Sequence, residues 1–277
     1  MPKRKWKWTQ AKFQRYMIKE KRGQGEGENY IPWIKVQDSA SKGRCHRIRG
    51  WKTNRIHHLL SDLEKRAFYL FEWSDQVTDI REQYPLLDLE LAMGIASQMK
   101  MEYPKDRDNG TPCVLTTDFM LTVQQEDQVF AVARTIKQTK DLQSKRKLEK
   151  LELERRYYQA LNVDWGIITE QSISKNFFMN MEWIHEEYYL EPIGKVDLAK
   201  LTEIANFLKQ KLSQEDTTVT NITTRLDEEL SLKPGTSLSL FMHLVARKEI
   251  ILDLFQVKLW KNLPTQAIQK IIYNSDE

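Results

Sequence analysis

The chain is poor in the residues that build special architectures. Its 277 residues include two cysteines, Cys45 and Cys113, so no disulfide framework or four-thiolate zinc site is expected, and the usage fits a reducing compartment. Ten glycines and eight prolines exclude a collagen-like or low-complexity chain. No uncharged apolar run approaches the roughly 18 residues of a membrane span, so no membrane partner is expected. The amino terminus, Met1-Pro2-Lys3-Arg4-Lys5-Trp6, has charge without the apolar stretch of a secretory signal. Hydrophobic residues at 40% and charged residues at 30% leave ample material for a core, in one large domain or two ordinary ones.

What is present is unevenly spread. The net charge of +4 conceals sixteen Lys/Arg against four Asp/Glu in residues 1–60, and 27 against 35 in the remainder. The basic segment is interleaved with Trp6, Trp8, Phe13, Tyr16, Tyr30, Trp33 and Trp51, a composition that suits a polyanion. Lys12, Arg15, Arg44, Arg47, Arg49, Lys52 and Arg55 are the candidate phosphate contacts as a group. The competing reading is a solvated basic extension.

Periodicity predicts a short basic helix over 9–20 and a flexible glycine loop over 23–27. Short strands follow within 31–60, then a helix from Ser61 to about Trp73 whose apolar face carries Leu63, Ala67 and Leu70. A strand at 76–81, a helix at 88–100, strands at 113–123 and 128–136, a helix at 141–161 facing the core with Leu148, Leu151, Tyr158 and Leu161, and a strand at 163–169 make an α/β core with a mixed sheet. Beyond a boundary near 170, helices are expected at 176–190, 197–213, 220–231 and 236–248. A strand at 250–254 paired with 256–260 and a last helix at 264–273 then suggest a mostly helical, winged-helix-like second domain.

The polar turn Gln124-Gln125-Glu126-Asp127 sets a register. A hairpin centred between Glu126 and Asp127 pairs residues whose numbers sum to 253, which puts Asp118 opposite Thr135 and Lys137 on the Thr135 side. An acid, a hydroxyl and a lysine would then gather at one end of the hairpin. Two carboxylates hold hard divalent cations, commonly magnesium, singly or in pairs, and a nearby lysine completes a solution for phosphodiester hydrolysis. Glu64 is the helix-borne acid of choice. The bland alternatives are a Ser61-x-x-Glu64 capping box and solvated charges at strand ends. The adjacent His57 and His58 would face opposite ways and cannot readily share a metal. His46, His185 and His243 have no partner at ligand spacing, and the aromatics of 177–189 read as core.

In order along the chain run Arg22-Gly-Gln-Gly-Glu-Gly-Glu-Asn-Tyr-Ile-Pro-Trp33, Gly43-Arg-Cys-His-Arg-Ile48, His57-His-Leu-Leu-Ser-Asp-Leu-Glu64, Asp79-Ile-Arg-Glu-Gln-Tyr-Pro-Leu86, Thr116-Thr-Asp-Phe119 and Leu148-Glu-Lys-Leu-Glu-Leu-Glu-Arg-Arg-Tyr-Tyr158. Together they resemble TnsA, the endonuclease subunit of heteromeric bacterial transposases, well over residues 20–170 and mainly in position and length thereafter.

The resemblance implies a restriction-endonuclease-like fold over 1–170 and a partner-binding domain over 171–277. It implies catalytic Glu64, Asp118 and Lys137, with magnesium (or manganese in its place), two ions per site, held by Glu64, Asp118, Thr135 and the Ile136 carbonyl. Thr135 departs from the acid or glutamine that the family and its relatives carry there. Gln83 is a further candidate for positioning water or DNA. The implied activity is 5′-strand cleavage of double-stranded DNA at transposon ends, in the bacterial cytoplasm at the nucleoid, beside a TnsB-type DDE transposase and a TnsC-type ATPase. The alternatives are a weak or inactive DNA- and transposase-binding adaptor and a stand-alone restriction or repair nuclease.

Overall fold

The computed structural model describes residues 8–39, 43–192, 196–259 and 261–273. Trp6 and Trp260 lie outside the described residues. Two compact units divide the chain, 1–173 and 174–277.

In the first unit the described residues of the basic segment, 8–39 and 43–60, are folded. Thr9 caps α1 (Gln10–Gln14) by accepting the Lys12 amide, and a π-helical turn, Arg15–Lys19, continues it. Two glycines of the following loop are required by backbone. At Gly23, φ is +72° and a Cβ would meet Pro85 Cγ at 2.3 Å; at Gly25, φ is +86° and a Cβ would meet the Asn29 carbonyl at 2.5 Å. The loop therefore holds the chain close against Pro85 and Asn29. Strands β1 (His46–Arg49) and β2 (Ile56–Leu59) pair antiparallel.

Helix α2 (Asp62–Trp73) starts at Ser61, whose hydroxyl accepts the Glu64 amide. Strand β3 (Val77–Pro85) leads to α3 (Leu89–Gln98), and β4 (Thr116–Gln125) and β5 (Gln128–Ile136) form the hairpin. Helix α4 (Lys145–Ala160) and strand β6 (Asp164–Ile168) follow. The sheet order is β3-β4-β5-β6, antiparallel except for the parallel β5–β6 pair. The β4–β5 ladder pairs Gln125 with Gln128 and Phe119 with Arg134, so the sum of 253 holds along it.

Alternation along β4 serves two layers. Phe119 meets Phe71 of α2 at 5.1 Å between ring centroids, whereas Met120 packs with Ala133 into the α3–α4 cluster of Leu86, Ile95, Leu153, Tyr157 and Tyr158. The core face of α4 differs from the expected one. Leu148 and Leu161 are exposed, and Leu151, Leu153, Glu154, Tyr157 and Tyr158 are buried.

The second unit consists of α5 (Lys175–Ile184), α6 (Leu198–Gln214), α7 (Val219–Glu229) and α8 (Thr236–Ala246), followed by β7 (Ile250–Ile251) and β8 (Lys270–Ile271). Two expectations fail here. Strand β7 pairs with β8 and not with 256–260, and 265–267 forms a single 3₁₀ turn where a helix was expected. Each of these strands is two residues long. No helix among the described residues is long and apolar enough to cross a membrane.

Candidate active site

Four elements converge on one end of the sheet. Glu64 stands in the first turn of α2, where Leu60 N donates to its Oε2 at 2.9 Å and Ser61 Oγ to its Oε1 at 3.0 Å. The capping role and the site role thus belong to one side chain. Gln83 Nε2 donates to Glu64 Oε2 at 3.3 Å, and Thr116 Oγ1 donates to Gln83 Oε1 at 3.3 Å. The flanking pairs Glu82–Phe119 and Tyr84–Thr117 place Gln83 across from Asp118. Gln83 carries a left-handed φ of +50°, uncommon for a non-glycine residue within a strand.

Asp118 Oδ2 accepts from Ile136 N at 2.6 Å and from Lys137 Nζ at 2.8 Å, and Lys137 Nζ also donates to the Ile136 carbonyl at 2.9 Å. Burial, then the charge of Asp118, push the Glu64 carboxyl well above the usual carboxylate range. Burial pulls the Lys137 ammonium down, but Asp118, with Glu154 and Glu64 behind it, outweighs that and raises it. The lysine therefore stays charged in a nest of acids.

Thr135 lies elsewhere than the hairpin register alone suggests. Its hydroxyl donates to Glu154 Oε1 and lies 3.1 Å from Thr117 Oγ1, and the paired ladder stops at Phe119–Arg134, short of Asp118. Glu154, missed in the sequence, also accepts from Trp165 Nε1 at 3.1 Å. Its own pKa is raised by burial, against the hydrogen bonds of Thr117 and Thr135. A signal for it existed: it stands three residues after Leu151 and four before Tyr158, on the buried stripe.

The candidate phosphate contacts fare unevenly. Arg44, Arg47 and Arg49 are exposed, but bond Asp62, Gln37 and Asn54. Arg15 pairs with Glu20, Lys52 Nζ donates to the Ser74 carbonyl, and Lys12 Nζ lies 5.5 Å from the Tyr16 ring centroid. Arg55 is a correction: its side chain is 8% exposed and grips Glu82 with Nη1 at 2.9 Å and Nη2 at 2.6 Å, because a buried carboxylate demands a cation. His57 Nδ1 lies 2.8 Å from the same carboxylate, and half-buried His58 accepts from Val36 N through Nδ1.

Among the described residues, no three His, Cys, Asp or Glu side chains gather closely enough to hold a metal by themselves. The donors at the cluster are two carboxylates and a backbone carbonyl, all oxygen. That set fits a hard divalent cation that keeps several waters.

The family described as TnsA-like endonuclease N terminal matches residues 74–170, and TnsA endonuclease C terminal matches residues 172–254. The chain is 39% identical over 240 residues to the transposon Tn7 transposition protein TnsA of Escherichia coli, a match spanning 86% of this chain and 85% of that protein.

Proposed function

The chain belongs to the TnsA family of transposition endonucleases, and on that premise we propose that Glu64, Asp118 and Lys137 hydrolyse the 5′-strand phosphodiester at transposon ends with the help of magnesium. The observation that carries the reading is the meeting of two acids and a charged lysine, with Lys137 Nζ 2.8 Å from Asp118. Glu64, Asp118 and the Ile136 carbonyl would hold the cation, which supplies Lewis-acid polarisation of the phosphoryl oxygen. Manganese would substitute, and two ions per site are compatible with two carboxylates. Thr135 would serve only through water, since its hydroxyl is committed to Glu154.

The protein's own groups do the rest. Lys137, fixed by Asp118 and Ile136, presents a positive charge to the oxygens where negative charge develops. Gln83, bracketed by Glu64 and Thr116, positions the attacking water or the strand. The second unit would dock a TnsB-type transposase and a TnsC-type ATPase. Its exposed Trp183, Phe207, Phe255 and Tyr273 suit protein contacts better than phosphate.

The test mixes the chain with a partner transposase, end DNA and magnesium. Glu64→Ala is expected to lose 5′-strand cleavage while 3′-strand cleavage persists; unchanged 5′ cleavage defeats the reading. A wild-type chain that binds the DNA and the transposase yet cuts nothing would favour the adaptor.

A further inference from the structure

The hairpin of β1 and β2 stands outside the four-stranded sheet, as a two-stranded ribbon of its own. Residues 43–60, which contain it, carry five Lys/Arg and no Asp/Glu. Its two faces differ. The pairs His46–Leu59 and Ile48–His57 alternate with Arg47–His58 and Arg49–Ile56. His57 and Leu59 are fully buried, whereas Arg47, Arg49 and Ile56 are exposed. The ribbon is fastened to both ends of α2. At its root Arg44 Nε donates to Asp62 at 2.9 Å; at its tip the Trp51 amide donates to Glu72 and Lys52 Nζ to the Ser74 carbonyl. Gly50 permits the close turn, since a Cβ there would meet His57 Nε2 at 2.6 Å. The outer face is thus presented on a braced support.

That face carries the chemistry of base edges as well as that of phosphates. A phosphate contact needs only a cation or a neutral donor. Here Arg47 Nη2 donates to Gln37 Oε1 at 3.2 Å, and Arg49 donates to Asn54 Oδ1 through Nε at 3.2 Å and Nη2 at 2.7 Å. Both acceptors are neutral amides, so they orient the guanidinium forks without cancelling their charge. Opposite Arg49 stands Ile56, an apolar side chain 48% exposed in a stretch of cations. Arginine forks fit guanine O6 and N7, and an apolar side chain fits the thymine methyl. The acids around the ribbon are already met: Asp62 at its root by Arg44 and His46, and buried Glu82 beneath it by Arg55.

The ribbon leads straight to the catalytic cluster, because the amide of Leu60, the residue after β2, donates to Glu64 Oε2. Ile56 stands four residues earlier, about 13 Å along extended chain, which is roughly four base-pair steps of duplex. A two-stranded ribbon fits the major groove. We propose that the outer face of β1–β2 lies in the major groove about four base pairs from the cleaved bond and reads the bases of the transposon end, with Arg47 and Arg49 on guanines and Ile56 against a thymine methyl. The inference rests on the endonuclease reading.

The test assembles the full chain with its partner transposase on a transposon-end duplex in calcium and probes guanine N7 with dimethyl sulfate. Cleavage of the 5′ strand of the same duplex in magnesium is followed separately. One or two guanines within about six base pairs of the cleaved bond should be protected beyond the protection given by the transposase alone. Arg47→Lys and Arg49→Lys keep the charge and lose the fork, so each should expose its guanine. Replacing a protected guanine by 7-deazaguanine should lower 5′ cleavage about tenfold in the wild type, and less than about twofold in the matching lysine variant. The inference is overturned if no added guanine is protected, or if both folded lysine variants protect as the wild type does. Indifference of the wild type to 7-deazaguanine at every position overturns it without any variant. Cleavage without added protection leaves the endonuclease reading standing, whereas added protection without cleavage keeps the ribbon and removes that reading.

Discussion

Glu82 and Glu64 are buried carboxylates in the same unit, and the structure treats them in opposite ways. Glu82 is fully enclosed and fully answered: Arg55 binds it through two nitrogens, His57 Nδ1 lies 2.8 Å away, and the His58 amide donates at 2.9 Å. Burial alone would raise its pKa, but the His57 ring and then the Arg55 guanidinium outweigh it and hold the carboxyl far below the usual range. Burial lowers the pKa of His57, against the opposing pull of the Glu82 charge and hydrogen bond. Glu64 accepts from neutral donors, an amide, a hydroxyl and the Gln83 amide, and it faces a second acid, with the Lys137 charge a smaller opposing influence. A buried carboxylate paired with an arginine fixes β2 to β3, whereas one held by neutral donors is left able to bind a cation.

Substitutions should separate the two regions. The largest effect belongs to the site: Asp118→Asn is expected to reduce cleavage by at least ~10³-fold, with unfolding free energy changed by less than about 1 kcal/mol. A large loss of stability would mean that Asp118 is structural, like Glu82. Arg55→Ala should do the reverse. Leaving Glu82 buried and unpaired costs about 3–5 kcal/mol, read by chemical denaturation. If denaturation is unchanged and only DNA binding falls, Arg55 is a phosphate contact after all.

Glu72 is a third buried acid and gives the comparison a pH axis. It accepts from the Trp51 amide at 2.5 Å, and burial pushes it up to about 7. Its folded pKa is raised, so its contribution to stability is full below the unfolded value of about 4.5 and is lost as pH rises through about 7. The loss is on the order of 3 kcal/mol between pH 5 and pH 8. Glu82, with a lowered pKa, runs the other way: its contribution is present above about 4.5 and disappears as pH falls. Denaturation of Glu72→Gln at pH 5 and pH 8 should show a flatter profile than that of the wild type. An identical slope would remove Glu72 as the cause.

The contrast also explains what the sequence could reveal. The meeting of Asp118 and Lys137 was legible because a polar turn between two period-2 strands fixes the register, and register is local. Arg55 was misread because its partner Glu82 lies 27 residues away, and composition does not distinguish a free cation from an engaged one. Glu154 was hidden because a helical stripe is read from its apolar members, here Leu151 and Tyr158, while the acid between them was passed over. The β7–β8 pair joins Ile250 to Ile271 across a long loop that no local pattern encodes, so each apolar run was assigned a structure of its own.

Gln83 stands where the two regions meet, one residue after Glu82 and across the ladder from Asp118. A φ of +50° costs a side-chain-bearing residue on the order of 1 kcal/mol that glycine avoids. The same backbone turn aims its carbonyl at the Trp33 amide and its side chain between Glu64 and Thr116. Gln83→Gly should therefore be more stable than Gln83→Ala by about 1 kcal/mol in paired denaturation experiments. Both should cleave about tenfold more slowly than wild type, because both lack the amide. Equal stability of the two variants would show that the turn carries no strain. Wild-type cleavage in the glycine variant would show that Gln83 links the two regions through its backbone alone.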